Sequence, residues 1–164
     1  AFQGGFGLLT LQGVAKPAYR AFELLHHLGT EQLPVDGSHE TVDAWVTRGG
    51  NSVTVLLTNH ALPRHPIKDE TVSIQLSGLL SPKNAFIERI DANHANSKRL
   101  WIEMGKPPIP SMRQVDQLHA ASQIQRQPQQ FKYKSGSLQM EVSMPPHAIA
   151  AVTVELSANS DARA

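Results

Sequence analysis

From residue 41 onward the apolar side chains recur at every second position, and this alternation constrains the fold more than any other feature. Val42, Ala44 and Val46 alternate with Asp43, Trp45 and Thr47. A period of two places one set on each face of a half-buried β-strand. Arg48-Gly49-Gly50-Asn51 is a turn signal and 53–58 is the return strand, so the pattern predicts a hairpin. Val72, Ile74 and Leu76 alternate within 71–77, and 86–91 is a further strand. Residues 138–144 and 148–156 alternate again, joined by Pro145-Pro146-His147, and read as a terminal hairpin. About six strands with turn signals between them predict an antiparallel sandwich.

Helical punctuation interrupts this pattern twice. Pro17 suits a first helical turn and Gly29 suits the C′ position. Between them Ala18, Ala21, Phe22, Leu25 and Leu28 recur at helical spacing and make one apolar face. His26 and His27 sit in the last turn, where positive charge is tolerated. Before this helix, residues 2–13 are apolar and glycine-rich, which reads as a buried strand end and turn. Residues 93–110 are polar and then proline-rich. Ser111 stands three residues before Gln114, a capping-box spacing, and Val115, Leu118, Ala121 and Ile124 continue as an apolar stripe. A short helix over 112–124 is expected there, followed by a polar loop over 125–130. The predicted fold is therefore mainly β, an antiparallel β-sandwich with a leading helix and one short inserted helix.

Composition and motifs exclude several classes of chemistry. With 15 Lys and Arg against 14 Asp and Glu, the net charge of +1 sets up no field for a polyanion, so no nucleic acid is expected. No apolar run approaches the roughly 18 residues of a spanning helix, so no membrane is expected either. The absence of cysteine removes disulfides, thiolate metal sites and cysteine nucleophiles. Eight histidines are present, but His26 and His27 are adjacent and His60 and His65 flank a proline-broken loop. No metal site is expected. Gly5-Phe6-Gly7 lacks the third glycine of a dinucleotide loop, because Thr10 stands there. No G-x-S-x-G elbow occurs.

Carbohydrate chemistry needs either aromatic platforms or facing carboxylates. Trp45 lies on the polar register of its strand, as a ligand platform or a plug against another element. Trp101 lies near Arg89, Asp91, His94, Asn96, Lys98 and Arg99, as a site rim or as the buried anchor of a polar loop. Glycoside hydrolysis requires two carboxyl groups about 5 Å apart for retention and more for inversion. Glu23, Asp43, Glu88, Asp116, Glu141 and Glu155 all fall on polar registers or helix surfaces, and no catalytic pair stands out.

Three stretches together carry a resemblance. The first is Phe2-Gln3-Gly4-Gly5-Phe6-Gly7-Leu8-Leu9 with Lys16-Pro17-Ala18-Tyr19-Arg20-Ala21-Phe22-Glu23-Leu24-Leu25 and Leu28-Gly29. The second is Arg89-Ile90-Asp91, His94 and Asn96 with Trp101, Met104-Gly105, Pro107 and Pro110. The third is 138–156 with its Pro145-Pro146 pair. In this order they resemble the C-terminal part of glycoside hydrolase family 39, the β-xylosidase and α-L-iduronidase family, on its β-xylosidase side.

The resemblance implies a (β/α)8 catalytic barrel preceding a β-sandwich in one polypeptide. Residues 1–30 would be a remnant of the last β/α unit of that barrel. Residues 31–157 would be the sandwich with a loop and helix insertion at 92–130, and 158–164 a flexible tail. It further implies that Phe6, Tyr19, Phe22 and Leu25 pack on the barrel, and that Asp91, His94, Asn96 and Trp101 line the domain interface or the substrate rim. The parent activity would be retaining hydrolysis of terminal β-xylosidic bonds, with a xyloside or oligosaccharide as substrate and no cofactor. No residue here matches the family's catalytic glutamates, so this chain alone is expected to be inactive. Self-association through the exposed apolar helix is expected, and no compartment is implied. The rival readings are a stand-alone carbohydrate-binding module and a structural or oligomerisation domain.

Overall fold

A computed structural model describes residues 2 and 6–157 of the chain. In chain order the elements are α1 (Pro17–His26), β1 (Glu31–Leu33), β2 (Val42–Gly49), β3 (Ser52–Asn59), β4 (Glu70–Ser77) and β5 (Pro82–Ile90). They continue with α2 (Ser97–Glu103), α3 (Met112–Ala121), β6 (Arg126–Pro128), β7 (Lys132–Lys134), β8 (Ser137–Met144) and β9 (Ala148–Leu156). The chain divides into two compact units. One comprises residues 1–27 and 89–125, the other 28–88 and 126–164. The expected flexible tail, 158–164, lies outside the described residues, as do Gln3, Gly4 and Gly5 of the glycine-rich opening.

The second unit is the β-sandwich that the alternation predicts. Its larger sheet has the order β1-β2-β3-β9-β5-β6 and its smaller sheet the order β4-β8-β7. The pairs β1–β2, β2–β3, β3–β9 and β5–β6 of the first sheet, and β4–β8 and β7–β8 of the second, are antiparallel. The β2–β3 hairpin closes at Gly49 opposite Ser52, with Gly50 at φ 54° in its turn. In the smaller sheet Val72, Ile74 and Leu76 stand opposite Val142, Met140 and Leu138. These side chains join Val46, Val55, Leu57, Val152 and Val154 in one shared core. Val72, Ile74 and Leu76 are half-buried and the others buried; each fully buried side chain contributes about 1.5–3 kcal/mol relative to exposure, so the two facing apolar registers hold the sheets together.

Residues 138–156 form no hairpin. β8 pairs with β4 in one sheet and β9 pairs with β3 in the other, so Pro145-Pro146-His147 arches from sheet to sheet. Two consecutive prolines lack the N–H groups a ladder requires. The amide of Asn59 bonds instead to the carbonyls of Met144 at 2.8 Å and Pro145 at 3.3 Å.

Nine strands are present among the described residues where about six are expected. The additions β1, β6 and β7 are three-residue, mostly exposed segments without apolar alternation. They exist because a neighbouring strand offers unpaired backbone groups. Residues 126–128, expected in a polar loop, thus pair with β5.

The first unit is helical. The insertion holds two helices rather than one. α3 starts at the expected capping box, with Ser111 and Gln114 bonding reciprocally, and ends at Ala121. α2 was hidden in the polar stretch. Asn96 accepts from the Lys98 N–H at its start. At its end Lys106 N–H donates to Trp101 O and Gly105 N–H to Ile102 O, with Gly105 at φ 83°. That is a Schellman motif, for which glycine at C′ is the sequence signal. Val14, Trp101 and Leu118 form this unit's core, with Phe2, Leu100, Met104 and Val115 against it. A buried strand end and turn is expected over 2–13, but from 8 to 16 the chain forms a hydrogen-bonded loop instead. Lys16 N–H donates to Leu8 O, Thr10 N–H to Val14 O and Val14 N–H to Thr10 Oγ1. Phe6 and Leu11 are almost fully exposed there.

Gly29 is not the left-handed helix terminator its position suggests. His27 caps α1, and Gly29 N–H donates to Thr47 Oγ1 at 3.1 Å. A Cβ on Gly29 would fall 2.2 Å from the backbone C and O of Arg48. Close approach, not dihedral freedom, requires glycine. Gly29→Ala is expected to destabilise the protein by on the order of 2–3 kcal/mol in thermal or urea unfolding, since the obstacle is backbone and cannot rotate away.

Candidate functional site

The Asp91–Asn96 loop between β5 and α2 gathers three of the four polar and aromatic candidates. Asp91 Oδ1 accepts from the N–H groups of Asn93 at 2.7 Å and His94 at 2.9 Å. His94 Nδ1 lies 2.9 Å from both carboxylate oxygens. The Asp91 N–H in turn donates to His94 O at 3.1 Å. Asn96 Nδ2 donates to Asp91 O at 3.2 Å while its Oδ1 caps α2. Ala95, between them, sits at φ 51°. A short loop bends this sharply because a carboxylate is the acceptor its turned-in N–H groups need.

This geometry defines what the loop can do. The Asp91 side chain is buried and engaged by two backbone donors and an imidazole. With Nδ1 donating to the carboxylate, the neutral His94 ring carries its lone pair on Nε2. That ring is 39% exposed. The loop therefore presents one oriented imidazole edge on a rigid base.

Trp101 lies on α2 in the core of its unit, 7% exposed. Its Nε1–H donates to Pro107 O at 3.0 Å, and its ring meets Phe2 with centroids 5.5 Å apart. It anchors the proline-rich segment by packing and one hydrogen bond. Trp45, in the sheet unit, keeps 40% of its surface open. Among the described residues no group of three or more His, Asp or Glu side chains is placed to hold a metal ion.

α1 differs from its predicted register. Arg20 and Leu24 are its buried residues, while Ala18, Phe22 and Leu25 of the apolar stripe are exposed and Ala21 is half-buried. Tyr19, Phe22 and Leu25 are 38%, 61% and 49% exposed. The helix thus has two faces, one packed by Arg20 and Leu24 and one apolar and open. Arg20 is the residue that sequence reasoning missed. Its Nε donates to Ser122 O at 2.7 Å, its Nη2 to Ser122 Oγ at 3.3 Å and its Nη1 to Glu23 at 2.7 Å. Ser122 is the C-cap of α3, where the helix dipole favours a cation. Helical spacing flags apolar stripes, and a guanidinium sealing a helix end leaves no such trace.

Comparison with known proteins gives these features a family. The model of the glycosyl hydrolases of family 39 matches residues 1–139. The chain belongs to glycosyl hydrolase family 39. A β-xylosidase of Caldicellulosiruptor saccharolyticus is 32% identical over 157 residues, covering 94% of this chain and 32% of that protein. A β-xylosidase of Geobacillus stearothermophilus is 29% identical, with coverage of 94% and 30%. Among solved structures, a monomeric β-xylosidase of Caulobacter crescentus superposes with a TM-score of 0.75 at 22% identity over 96% of this chain and 34% of its own. A family 39 enzyme of Xanthomonas axonopodis gives the same score over 95% and 33%. The chain thus spans about a third of the length of the curated relatives it matches.

Two substitutions probe the helical unit. Trp101→Ala is expected to lower stability by about 3–5 kcal/mol, as removal of a buried aromatic does, checked by denaturant unfolding. Arg20→Met is expected to cost roughly 2–3 kcal/mol, because Ser122 O loses a charged donor in a buried setting. Arg20→Lys should recover only part of this, since one ammonium cannot reach both Ser122 atoms and Glu23.

Proposed function

We propose that this chain is the sandwich-bearing portion of a retaining, β-xylosidase-like glycosidase, and that it supports a (β/α)8 barrel in the same polypeptide. The observation that carries the proposal is the coverage of the curated β-xylosidases. This chain aligns along nearly its whole length with only about a third of each of them. In this reading the first thirty or so residues are the end of the barrel's last β/α unit. Residues 31–157 are the accessory sandwich, carrying 92–130 as its insertion. Hydrolysis of terminal β-xylosidic bonds is the activity of the whole enzyme, and its catalytic carboxylates lie outside this chain.

The open face of α1 supports the same reading. Phe6, Phe22 and Leu25 are exposed apolar groups in the segment assigned to the barrel, and Tyr19 lies beside them. An apolar stripe of this kind is usually covered by a partner element. The barrel strands would cover it, and without them the same face would drive self-association. The Asp91, His94, Asn96 and Trp101 stretch is assigned to the domain boundary, with His94 as its outward-facing group.

The test is assembly of activity. This 164-residue chain should not hydrolyse an aryl β-xyloside, whereas the enzyme-length protein should. Hydrolysis by the chain alone would overturn the assignment. At a dilution where the chain alone is monomeric, Phe22→Glu should change its stability by less than about 0.5 kcal/mol, as surface substitutions do. In the enzyme-length protein it should cost roughly 2–3 kcal/mol, the value of a buried phenyl ring. Equal effects in both would remove α1 from the barrel interface.

A further inference from the structure

The smaller sheet ends on one side at β4, and among the described residues no strand lies beyond it. The neighbouring hairpin shows which backbone groups β4 leaves open. β7 and β8 are joined by Ser135 at φ 50° and Gly136 at φ 80°, with Lys134 opposite Ser137. That is a two-residue type I′ turn, whose closing pair exchanges both backbone hydrogen bonds. Hydrogen-bonding direction alternates along a strand, so Ser137, Gln139, Glu141 and Ser143 aim N–H and C=O toward the β7 side. The bond from Gln129 Nε2 to Glu141 O at 3.2 Å agrees, because Gln129 leads into β7. Leu138, Met140 and Val142 therefore bond to their β4 partners Leu76, Ile74 and Val72. The N–H and C=O groups of Thr71, Ser73, Gln75 and Ser77 face the other way, toward the open edge.

The same strand leaves apolar surface open. Val72, Ile74 and Leu76 pack on the core but are only half-buried, whereas Leu138, Met140 and Val142 across the ladder are at most 5% exposed. Edge strands are ordinarily blunted by Lys, by Pro, by a bulge or by a covering segment. β4 carries none of the first three. Residues 71–77 read Thr-Val-Ser-Ile-Gln-Leu-Ser, without charge or proline, in unbroken register with β8.

An antiparallel edge is complementary to a copy of itself. A two-fold axis beside Ile74 sets Thr71 opposite Ser77 and Ser73 opposite Gln75 of the second copy, so each outward N–H meets an outward C=O. Val72 then stands opposite Leu76, and Ile74 opposite Ile74, on the core-facing side. The polar face pairs neutral side chains, and Glu70 falls opposite Gly78, so no like charges meet. We propose that β4 is an interface at which a second copy of this chain pairs edge to edge. One partner closes both the open ladder and the half-open apolar row. β4 and α1 are different surfaces, and the proposal does not rest on the barrel assignment.

The 164-residue chain is followed by sedimentation velocity and by amide hydrogen exchange over a range of concentrations. It should dimerise with a dissociation constant of roughly 10–100 μM. Exchange at Thr71, Ser73, Gln75 and Ser77 should slow about tenfold or more from dilute to concentrated protein, while Val72, Ile74 and Leu76 stay slow throughout. Ser73→Pro removes an N–H that β8 does not use and should weaken the dimer about tenfold or more. Ser73→Lys with Gln75→Lys sets like charges opposite each other and should do the same, whereas Ser73→Lys with Gln75→Glu should restore pairing. That recovery keeps the loss from being laid to unfolding. Phe22→Glu, on α1, should leave the dimer intact. The proposal is overturned if the chain stays monomeric up to roughly 1 mM. It is equally overturned if the dimer survives Ser73→Pro and the lysine pair, or if Phe22→Glu alone dissolves it. Slow exchange of the outward amides in a monomer overturns it too, since a segment of the same chain would then cover the edge.

Discussion

The two sheets meet over one apolar core, but a single amide fixes how the chain passes between them. Asn59 ends β3 in the larger sheet and is fully buried. Its nitrogen reaches the carbonyls of Met144 and Pro145, where β8 leaves the smaller sheet, and the carbonyl of Lys68, just before β4 enters it. Hydrophobic burial is non-directional and would tolerate several registers of one sheet on the other. An amide that must satisfy carbonyls from two other segments does not. The proline pair then follows from the same point, because 145 and 146 need no ladder partners where Asn59 has taken the adjacent acceptors.

Arg20 plays the corresponding part among the helices. It is long enough to fill the space between α1 and the end of α3 with its stem while its head closes an otherwise unsatisfied helix terminus. Because Arg20 shares the inward face with Leu24, the remaining apolar residues Ala18, Phe22 and Leu25 face outward. This inversion makes the helix look conventional in sequence and unusual in structure. An amphipathic pattern reports which side is apolar, not which side is covered within a given length of chain.

Legibility in the sequence followed the physical source of each element. Strands β2, β4 and β8 could be read because burial on one face writes a period of two into Val, Ile, Leu and Met positions, and β3 and β9, largely buried on both faces, because they are short apolar runs bounded by turn signals. The Ser111 capping box could be read because it is local. β1, β6 and β7 could not, since their side chains are exposed and their order comes from a neighbour's backbone. α2 was legible in principle from Asn96 and Gly105, but nearby prolines and charges masked a helix of 7 residues. The Asp91–Asn96 loop was located by its polar density, yet the capture of two N–H groups by Asp91 is a matter of geometry.

Gly29 and Gly49 face each other across a gap too small for a methyl group on either side. A Cβ on Gly49 would lie 2.9 Å from Gly29 Cα, and one on Gly29 still closer to Arg48 and Gly49 backbone. In both cases the obstacle is main chain, which no side-chain change elsewhere can trim. Neither position can therefore change first, and changing one does not free the other. The segment leaving α1 and the β2–β3 hairpin must drift through sequence space as a locked pair, so that any homologue lacking one glycine should have rerouted the backbone at both.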